Sequence, residues 1–349
     1  MKIFFKVILL IIISIAIYLL LPLKSDKLIY IPSKTDKHFN QAIKMQMTPL
    51  NSLDIAILKF YNIKEGWVRV SNKTNRYKLY KELLKNKRES TRKIIMYGGD
   101  TIFNFSKTVA KQTELNRDKL INVYKELSPF HEAGILAKKY NIPYKATEHS
   151  IISYMVYKTL SYYKDLAKKE GVEINSQEFK DKLIIASIIE KETQDYNEMP
   201  LISAVIQNRL KKGIKLQMDA TLNYGKYSHR VVTPAVIKND LSKYNTYRHK
   251  GLPPEPIGSV SKVSLLSAFM PAEVDYLYFV KKPKGGHTFS STYKKHQAKV
   301  KTYKENLEIL REKKRKLDKL IHKKIYIRFP MIYPKIHIPK QYTTYKSKR

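Results

Sequence analysis

Residues 183–189 read LIIASII, an almost unbroken apolar run, and one acid, Glu190, continues it. At helical length such a run packs on most of its sides. A carboxyl at its edge is partly withdrawn from water, which disfavours the charged form and suits the group to donate a proton. Glu190, Lys191 and Glu192 would also suit the solvated end of a helix, so the acid has to be judged with its surroundings. Glu192 stands two residues on, about 200° around a helix, and cannot share a face with Glu190. The pair of carboxylates that ordinary glycoside hydrolases set on opposite sides of a sugar is therefore not visible. A lytic cleavage can work with one. The acid protonates the glycosidic oxygen, the sugar develops oxocarbenium character, and the resulting carboxylate takes the proton of a hydroxyl on the same sugar as an internal anhydro ring closes. Such a site needs amide, hydroxyl and imidazole groups that hold a sugar and stabilise positive charge. Groups of that kind cluster downstream: Asn208, Arg209, Gln217, Asp219, Thr221, Tyr224, Asn245, Thr246, Tyr247 and His287.

Each has a structural alternative. Asn208 and Arg209 close a helical pattern, Leu201 to Leu210, ahead of Gly213, and would equally serve a C-terminal cap. Asp219 and Thr221 follow a strand-like Leu216-Gln217, where an Asp often just forms a turn. Asn245-Thr246-Tyr247, before a Gly-Leu-Pro-Pro turn, joins hydrogen-bonding groups to an aromatic face that can stack on a sugar. His287 follows Gly285-Gly286, which allows close backbone approach. No second His stands at ligand spacing, so neither a metal nor a cofactor is expected, and His296 is assigned to a helix surface.

The elements that must position these residues predict an α+β chain. Short alternating runs at Ile29 to Ile31, Trp67 to Val70 and Lys93 to Tyr97 read as strands between helices, and Gly98-Gly99-Asp100 as a turn into a helix. Residues 113–180 are mostly helical in pattern, and the Tyr, Met and Leu stripe of Ile151 to Leu166 is core. Beyond Val300 a helical pattern (Tyr303, Leu307, Leu310, Leu317, Ile321) runs into a basic, partly disordered tail with Tyr326, Phe329, Tyr333, Tyr342 and Tyr345 among its aromatic residues. Ile3 to Leu21 is apolar apart from Lys6 and about long enough to cross a bilayer; Pro22-Leu23-Lys24 offers no small-x-small cleavage site, so an uncleaved anchor is expected. Lys2 and Lys6 before the span and Lys24 and Lys27 after it leave its orientation open. A formal charge of +37 draws the chain to polyanions, and the absence of Cys excludes disulfides, thiolate metal sites and a Cys nucleophile. Nucleic acid is not the expected partner, since no helix-turn-helix, zinc finger or RRM signature accompanies the charge. The P-loop, GxGxxG, HExxH and GxSxG signatures are missing too.

Several blocks in order resemble the signatures of the MltG-type (YceG-like) endolytic murein transglycosylases. They are ASIIEKET (186–193), Asn208-Arg209-Leu210 with Gly213, Leu216-Gln217, Asp219 with Thr221, and Tyr224-Gly225. YNTY (244–247), GLPPEPI (251–257), YLYFV (276–280) and GGHTF (285–289) continue the series. The resemblance implies that Glu190, the first Glu of the family's EKE motif, is the catalytic acid. It implies a single-pass anchor (1–24) in the cytoplasmic (inner) membrane, a small LysM-like region (25–112) and a catalytic domain (113–303) on the periplasmic or outer side; the tail (304–349) has no counterpart in it. The implied substrate is nascent peptidoglycan, cut at the MurNAc-GlcNAc β-1,4 bond to leave a 1,6-anhydro-MurNAc end and terminate glycan elongation, with the cell membrane and the peptidoglycan-synthesis machinery as partners. The chain departs from the pattern at Ala220, at Glu255 in place of the last Gly of GLPPG, and at Ser259-Val260-Ser261 in place of Asn-Pro-Gly. The family's Glu-Gly-x-x-x-Pro-x-Thr segment remains only as Glu132-Ala133-Gly134. The rival reading is a membrane-tethered, non-enzymatic protein that binds wall polymer or lipid through its basic surface. The two separate on whether Glu190 faces a cleft containing the Asn245 and His287 segments.

Overall fold

The computed structural model describes residues 2–23, 27–46, 48, 50–61, 63–71, 74–85, 88–224, 231–283 and 285–328. It is a mixed α+β chain of small two-stranded sheets among helices, as the sequence pattern predicts. Two compact units divide it, Met1–Leu277 and Tyr278–Arg349.

The first unit opens with an apolar helix, α1 (Lys2–Leu20), and an antiparallel pair, β1 (Lys27–Ile31) with β2 (Gly66–Val70), registered Ile29 to Val68. Three helices, α2 (Phe39–Met45), α3 (Ser52–Phe60) and α4 (Arg76–Leu84), close over that pair, and Ile29, Ile31, Phe39, Ile43, Leu58, Val70, Leu79 and Leu83 form its core. Then come β3 (Thr91–Ile95), α5 (Ile102–Thr113), α6 (Arg117–Leu127) and β4 (Lys139–Pro143). β4 pairs antiparallel with β3, Ile94 opposite Tyr140, a strand that the helical pattern of 113–180 concealed. The boundary expected near residue 112 thus falls in the last turn of α5, which packs on α6, and the β3–β4 sheet spans it. Trp67 Nε1 also donates to the Asn141 carbonyl at 3.0 Å, across the same point.

α7 (Glu148–Lys169) buries the Tyr-rich stripe, and its Tyr163 hydroxyl donates to the Ala133 carbonyl at 2.7 Å. α8 (Gln177–Glu192) starts where Ser176 accepts from Phe179 N and stops where Thr193 turns to extended backbone. Its residues 183–189 are all at most 4% exposed. Burying the five Leu and Ile side chains among them contributes on the order of 10 kcal/mol, which fixes where the helix end, and hence Glu190, can stand. α9 (Met199–Lys211), the 3-10 turn Asp219–Leu222, α10 (Pro234–Asn239) and α11 (Lys262–Phe269) complete the unit, with α8, α9 and α11 packed together.

The second unit holds the hairpin β5 (Tyr278–Lys281) and β6 (His287–Ser290) and the long helix α12 (Tyr293–Arg328). The Tyr303, Leu307, Leu310, Leu317 and Ile321 pattern lies on α12, where Leu317 and Ile321 are exposed. His296 is not simply a surface residue: its half-buried ring stacks on Tyr278 at 5.1 Å between centroids. Phe329, Tyr333, Tyr342 and Tyr345, and the side chain of Tyr326, lie outside the described residues.

Candidate active site

The end of α8 delivers Glu190, half-buried, into a corner made by two backbone segments. Its Oε2 accepts from Ser261 N at 2.9 Å, the N-cap position of α11, where a capping box with Ser264 already fixes the chain. On its other side lies Gly98. A Cβ at that position would sit 2.0 Å from Glu190 Oε1, so the carboxyl rests against bare backbone. The turn that contains Gly98 is clamped to the same segment that supplies Ser261. Gly99 N donates to the Ser259 carbonyl (3.0 Å), Ser259 N to the Asp100 carbonyl (2.7 Å) and Ser259 Oγ to the Tyr97 carbonyl (2.6 Å). Gly258 completes the fit, since a Cβ there would meet the Gly99 carbonyl oxygen at 2.5 Å. The Ser-Val-Ser that stands where the family has Asn-Pro-Gly is therefore structural: it binds the turn and presents the donor to the acid.

A second acid lies close by, Glu132, which the sequence marks only as the remnant of a family segment. Glu132 is 3% exposed, and its Oε2 accepts from Ile102 N, at the first turn of α5, at 2.8 Å. Burial pushes its carboxyl up to about 8, against the opposing pull of the Ile102 hydrogen bond and the Lys191 charge. Lys191 is its electrostatic partner. Burial brings the ammonium down to about 8, with Glu132 and Asp100 acting the other way, and Nζ donates to the Asn223 carbonyl. Beyond Lys191, the rings of Tyr224 and Tyr244 stack at 4.0 Å, and both phenols feel the Glu132 charge.

Two of the expected segments do meet. Gln217 N donates to the Thr246 carbonyl at 3.2 Å, and Gln217 itself takes a positive φ of 53°, so the Leu216-Gln217 run is a kink and not a strand. Thr246 Oγ1 accepts from Met218 N at 3.1 Å and shares a hydrogen bond with Thr221 Oγ1 at 3.0 Å, both hydroxyls buried. Tyr247 donates its hydroxyl to Asp219 Oδ1 at 2.6 Å. Burial raises that phenol first, then the Asp219 bond and the Asp219 and Glu192 charges. Asn245 is fully buried and spends its side chain on its own loop: Nδ2 donates to the Ile237 and Asp240 carbonyls, and Oδ1 accepts from Tyr247 N.

Asn208 donates from Nδ2 to the Val274 and Tyr276 carbonyls, and Arg209 donates to the Leu277, Lys215 and Leu216 carbonyls. Both side chains pin chain segments to α9; Gly213, at φ 62°, ends that helix. His287 belongs to the second unit, buried on β6 with its ring edge-on to Phe279 at 5.2 Å. The GLPPEPI stretch is held to α8 by Ile257 N donating to Ser187 Oγ at 3.0 Å.

What the corner can do chemically is hold one half-buried carboxyl with a fixed donor on one oxygen and bare backbone beside the other, near a buried Glu, a half-buried Lys and a ledge of stacked phenols. Such an arrangement suits proton transfer to and from a sugar oxygen.

Similar proteins bear on this geometry. The model of the YceG-like family matches residues 30–302. An endolytic murein transglycosylase of Bacillus subtilis is 38% identical over 152 residues, covering 42% of this chain and 40% of that protein. One of Streptococcus pneumoniae is 31% identical over 157 residues, covering 43% of this chain and 28% of that protein. The chain thus spans well under half the length of these relatives. Among solved structures, a YceG-like protein of Listeria monocytogenes superposes with a TM-score of 0.51 at 25% identity, over 79% of this chain and 99% of that one. With the family model matched across more than three quarters of its length and a solved fold to accompany it, this chain belongs to the YceG-like family.

Proposed function

We propose that this chain is an endolytic lytic transglycosylase of peptidoglycan, with Glu190 as acid and then base. The observation that carries the reading is the Glu190 carboxyl held between Ser261 N and Gly98, on the residue that matches the family's catalytic acid. Its protonated form donates to the oxygen leaving C1 of MurNAc as the β-1,4 bond to GlcNAc breaks. The 6-hydroxyl of the same MurNAc then bonds to C1 and returns its proton to the Glu190 carboxylate, which closes the 1,6-anhydro ring. No water is consumed, so one carboxyl is enough. The names of the Bacillus and Streptococcus relatives, both endolytic murein transglycosylases, support the same substrate class.

In this reading Tyr247, Asp219, Gln217 and Thr221 shape the wall that holds the glycan, and Asn208, Asn245 and Thr246 keep that wall in place. The apolar window Ile3–Leu20, with mean hydropathy 2.9, spans about 27 Å as a helix and anchors the chain in the cytoplasmic membrane with the catalytic part on its outer side. The decisive variant is Glu190→Gln, which keeps the shape and the Ser261 bond but cannot cycle a proton. It should lower cleavage of purified glycan strands by 10³-fold or roughly more while thermal unfolding stays unchanged. Substantial residual cleavage would move the acid to another residue.

A further inference from the structure

α3 is apolar on two sides. Its inner side, Ile55 and Leu58, lies in the core under β1 and β2. Its outer side carries Leu53 and Phe60, 54% and 84% exposed, with half-buried Ile57, which also packs on that core, between them at helical spacing. Tyr61 extends the patch, and Asp54, the one acid of the helix, is fully buried. A helix apolar on two sides needs cover on both, and an exposed apolar patch marks a contact with something else.

The neighbouring element says what that is. The Tyr18 hydroxyl, in the last turn of α1, donates to Asn51 Oδ1 at 2.9 Å and Asp54 Oδ1 at 2.7 Å. Asp54 also takes Arg76 Nε at 2.9 Å and the Tyr80 hydroxyl, and the Arg76 guanidinium lies 4.6 Å from the centre of the Tyr18 ring. Leu23 N donates to the Thr74 carbonyl at 3.0 Å. A buried carboxylate with this many donors is costly to separate, so α1 leaves the unit at a fixed angle and not on a swivel. Between α1 and α3 runs a groove of about 580 Å³, bounded by Leu10, Ile11, Ile15 and Leu19 on one side and Leu53 and Ile57 on the other.

We propose that α3 beds into the leaflet that α1 leaves at Leu20, its Leu53, Ile57 and Phe60 face against lipid and the groove filled by a phospholipid acyl chain. This rests on the reading of α1 as a membrane span, because the groove's α1 residues lie within the Ile3–Leu20 window and its occupant must be hydrocarbon-soluble. A second span is the other candidate of that solubility, but helices pair in lipid over small residues that let backbones close up. The groove face of α1 offers Ser14 as its one small residue among branched aliphatic ones, and a flexible acyl chain fits such a surface better. Lys59, the charged residue on the exposed side of α3, places its ammonium 5.6 Å over the Phe39 ring, away from unshielded hydrocarbon.

Because the chain has no native Cys, single reporters can be placed in the full protein without a background. Ile8→Cys, Leu53→Cys, Phe60→Cys and, at an exposed position of α5, Lys111→Cys are reconstituted in vesicles of phosphatidylethanolamine and phosphatidylglycerol and treated with a charged, membrane-impermeant maleimide. Normalised to Lys111→Cys, the other three should label on the order of tenfold more slowly. A bimane on Leu53→Cys should be quenched by lipids brominated on the acyl chain. Fast labelling at Leu53 and Phe60 with Ile8 protected overturns the proposal and leaves the span standing, whereas fast labelling at Ile8 overturns the span and the proposal with it. Protection that fades as protein is diluted in lipid, or that persists without bromine quenching, means the cover is protein, a second copy in the first case, and the lipid assignment fails.

Discussion

Gly98→Ala separates the geometry of the acid from the stability of the fold. The new Cβ would stand 2.0 Å from Glu190 Oε1 and 2.6 Å from its Cδ, where ordinary contact begins near 3.4 Å. The carboxyl therefore has to retreat by roughly 1.4 Å, far enough to leave its 2.9 Å bond from Ser261 N. The atoms in the way are the far end of a flexible side chain, and Gly98 does not need a positive φ, so the backbone can stay where it is. The lost hydrogen bond costs about 1 kcal/mol, and the stiffer unfolded chain returns about 0.4–1 kcal/mol. Net stability should change by under about 1 kcal/mol, a Tm shift of only a few degrees. Misplacing a catalytic group by about 1 Å, in contrast, lowers turnover by roughly 10²-fold or more, close to 3 kcal/mol of barrier. Initial rates on purified glycan strands, read beside thermal unfolding of the same preparation, measure both. A wild-type rate with unchanged Tm would refute the placement of Glu190 against Gly98, and a collapse in Tm would show that the turn, not the acid, had been disturbed.

Glu132→Gln should flatten a pH dependence of stability. The folded carboxyl titrates near 8 against an ordinary 4.5, so its favourable protonated state is lost as pH rises through that window, and Tm of the wild type should carry a matching decline from pH 5 to pH 8 that the variant lacks. Lys191 runs the opposite way, its burial cost growing as pH falls from 10.5 to about 8, so the two groups leave distinguishable limbs in a Tm-versus-pH scan. A variant with the same decline as the wild type would show that another group causes it. Tyr247→Phe removes the donor to Asp219 and should cost about 1 kcal/mol of stability and raise KM several-fold with kcat nearly unchanged; an unchanged KM would make that pair scaffold alone.

The acid and its helix were legible because both follow from local pattern. An apolar run of that length has to be buried, so its end has to surface somewhere, and Glu190 is that end. β1, β2, β3 and the stripe of α7 were legible for the same reason. What surrounds the acid was not. Gly98-Gly99 reads as a turn from sequence, and only the clamp to residues 258–261, more than 150 positions away, makes it a wall for the carboxyl. Glu132 offers no local sign of burial, since a Glu in a Glu-Ala-Gly loop is ordinarily solvated, and its setting comes from α5 and α8 closing over it. At Asn245 packing adds what residue type alone does not show. Its side chain matches a sugar's hydrogen-bonding pattern, yet here it matches three groups of its own loop. Residue type states what a group can bond, and long-range packing decides which bond it makes.

In the proposed reaction a single carboxyl, Glu190, cuts glycan without adding water. Digesting purified strands with the full chain in oxygen-18 water, then weighing the products, tests it most directly. Lytic cleavage should give ends that carry no heavy oxygen and fall one water short in mass, as 1,6-anhydro-MurNAc does, and none of them from Glu190→Gln. Reducing ends that carry the label would contradict it and point to a hydrolase with a second carboxylate.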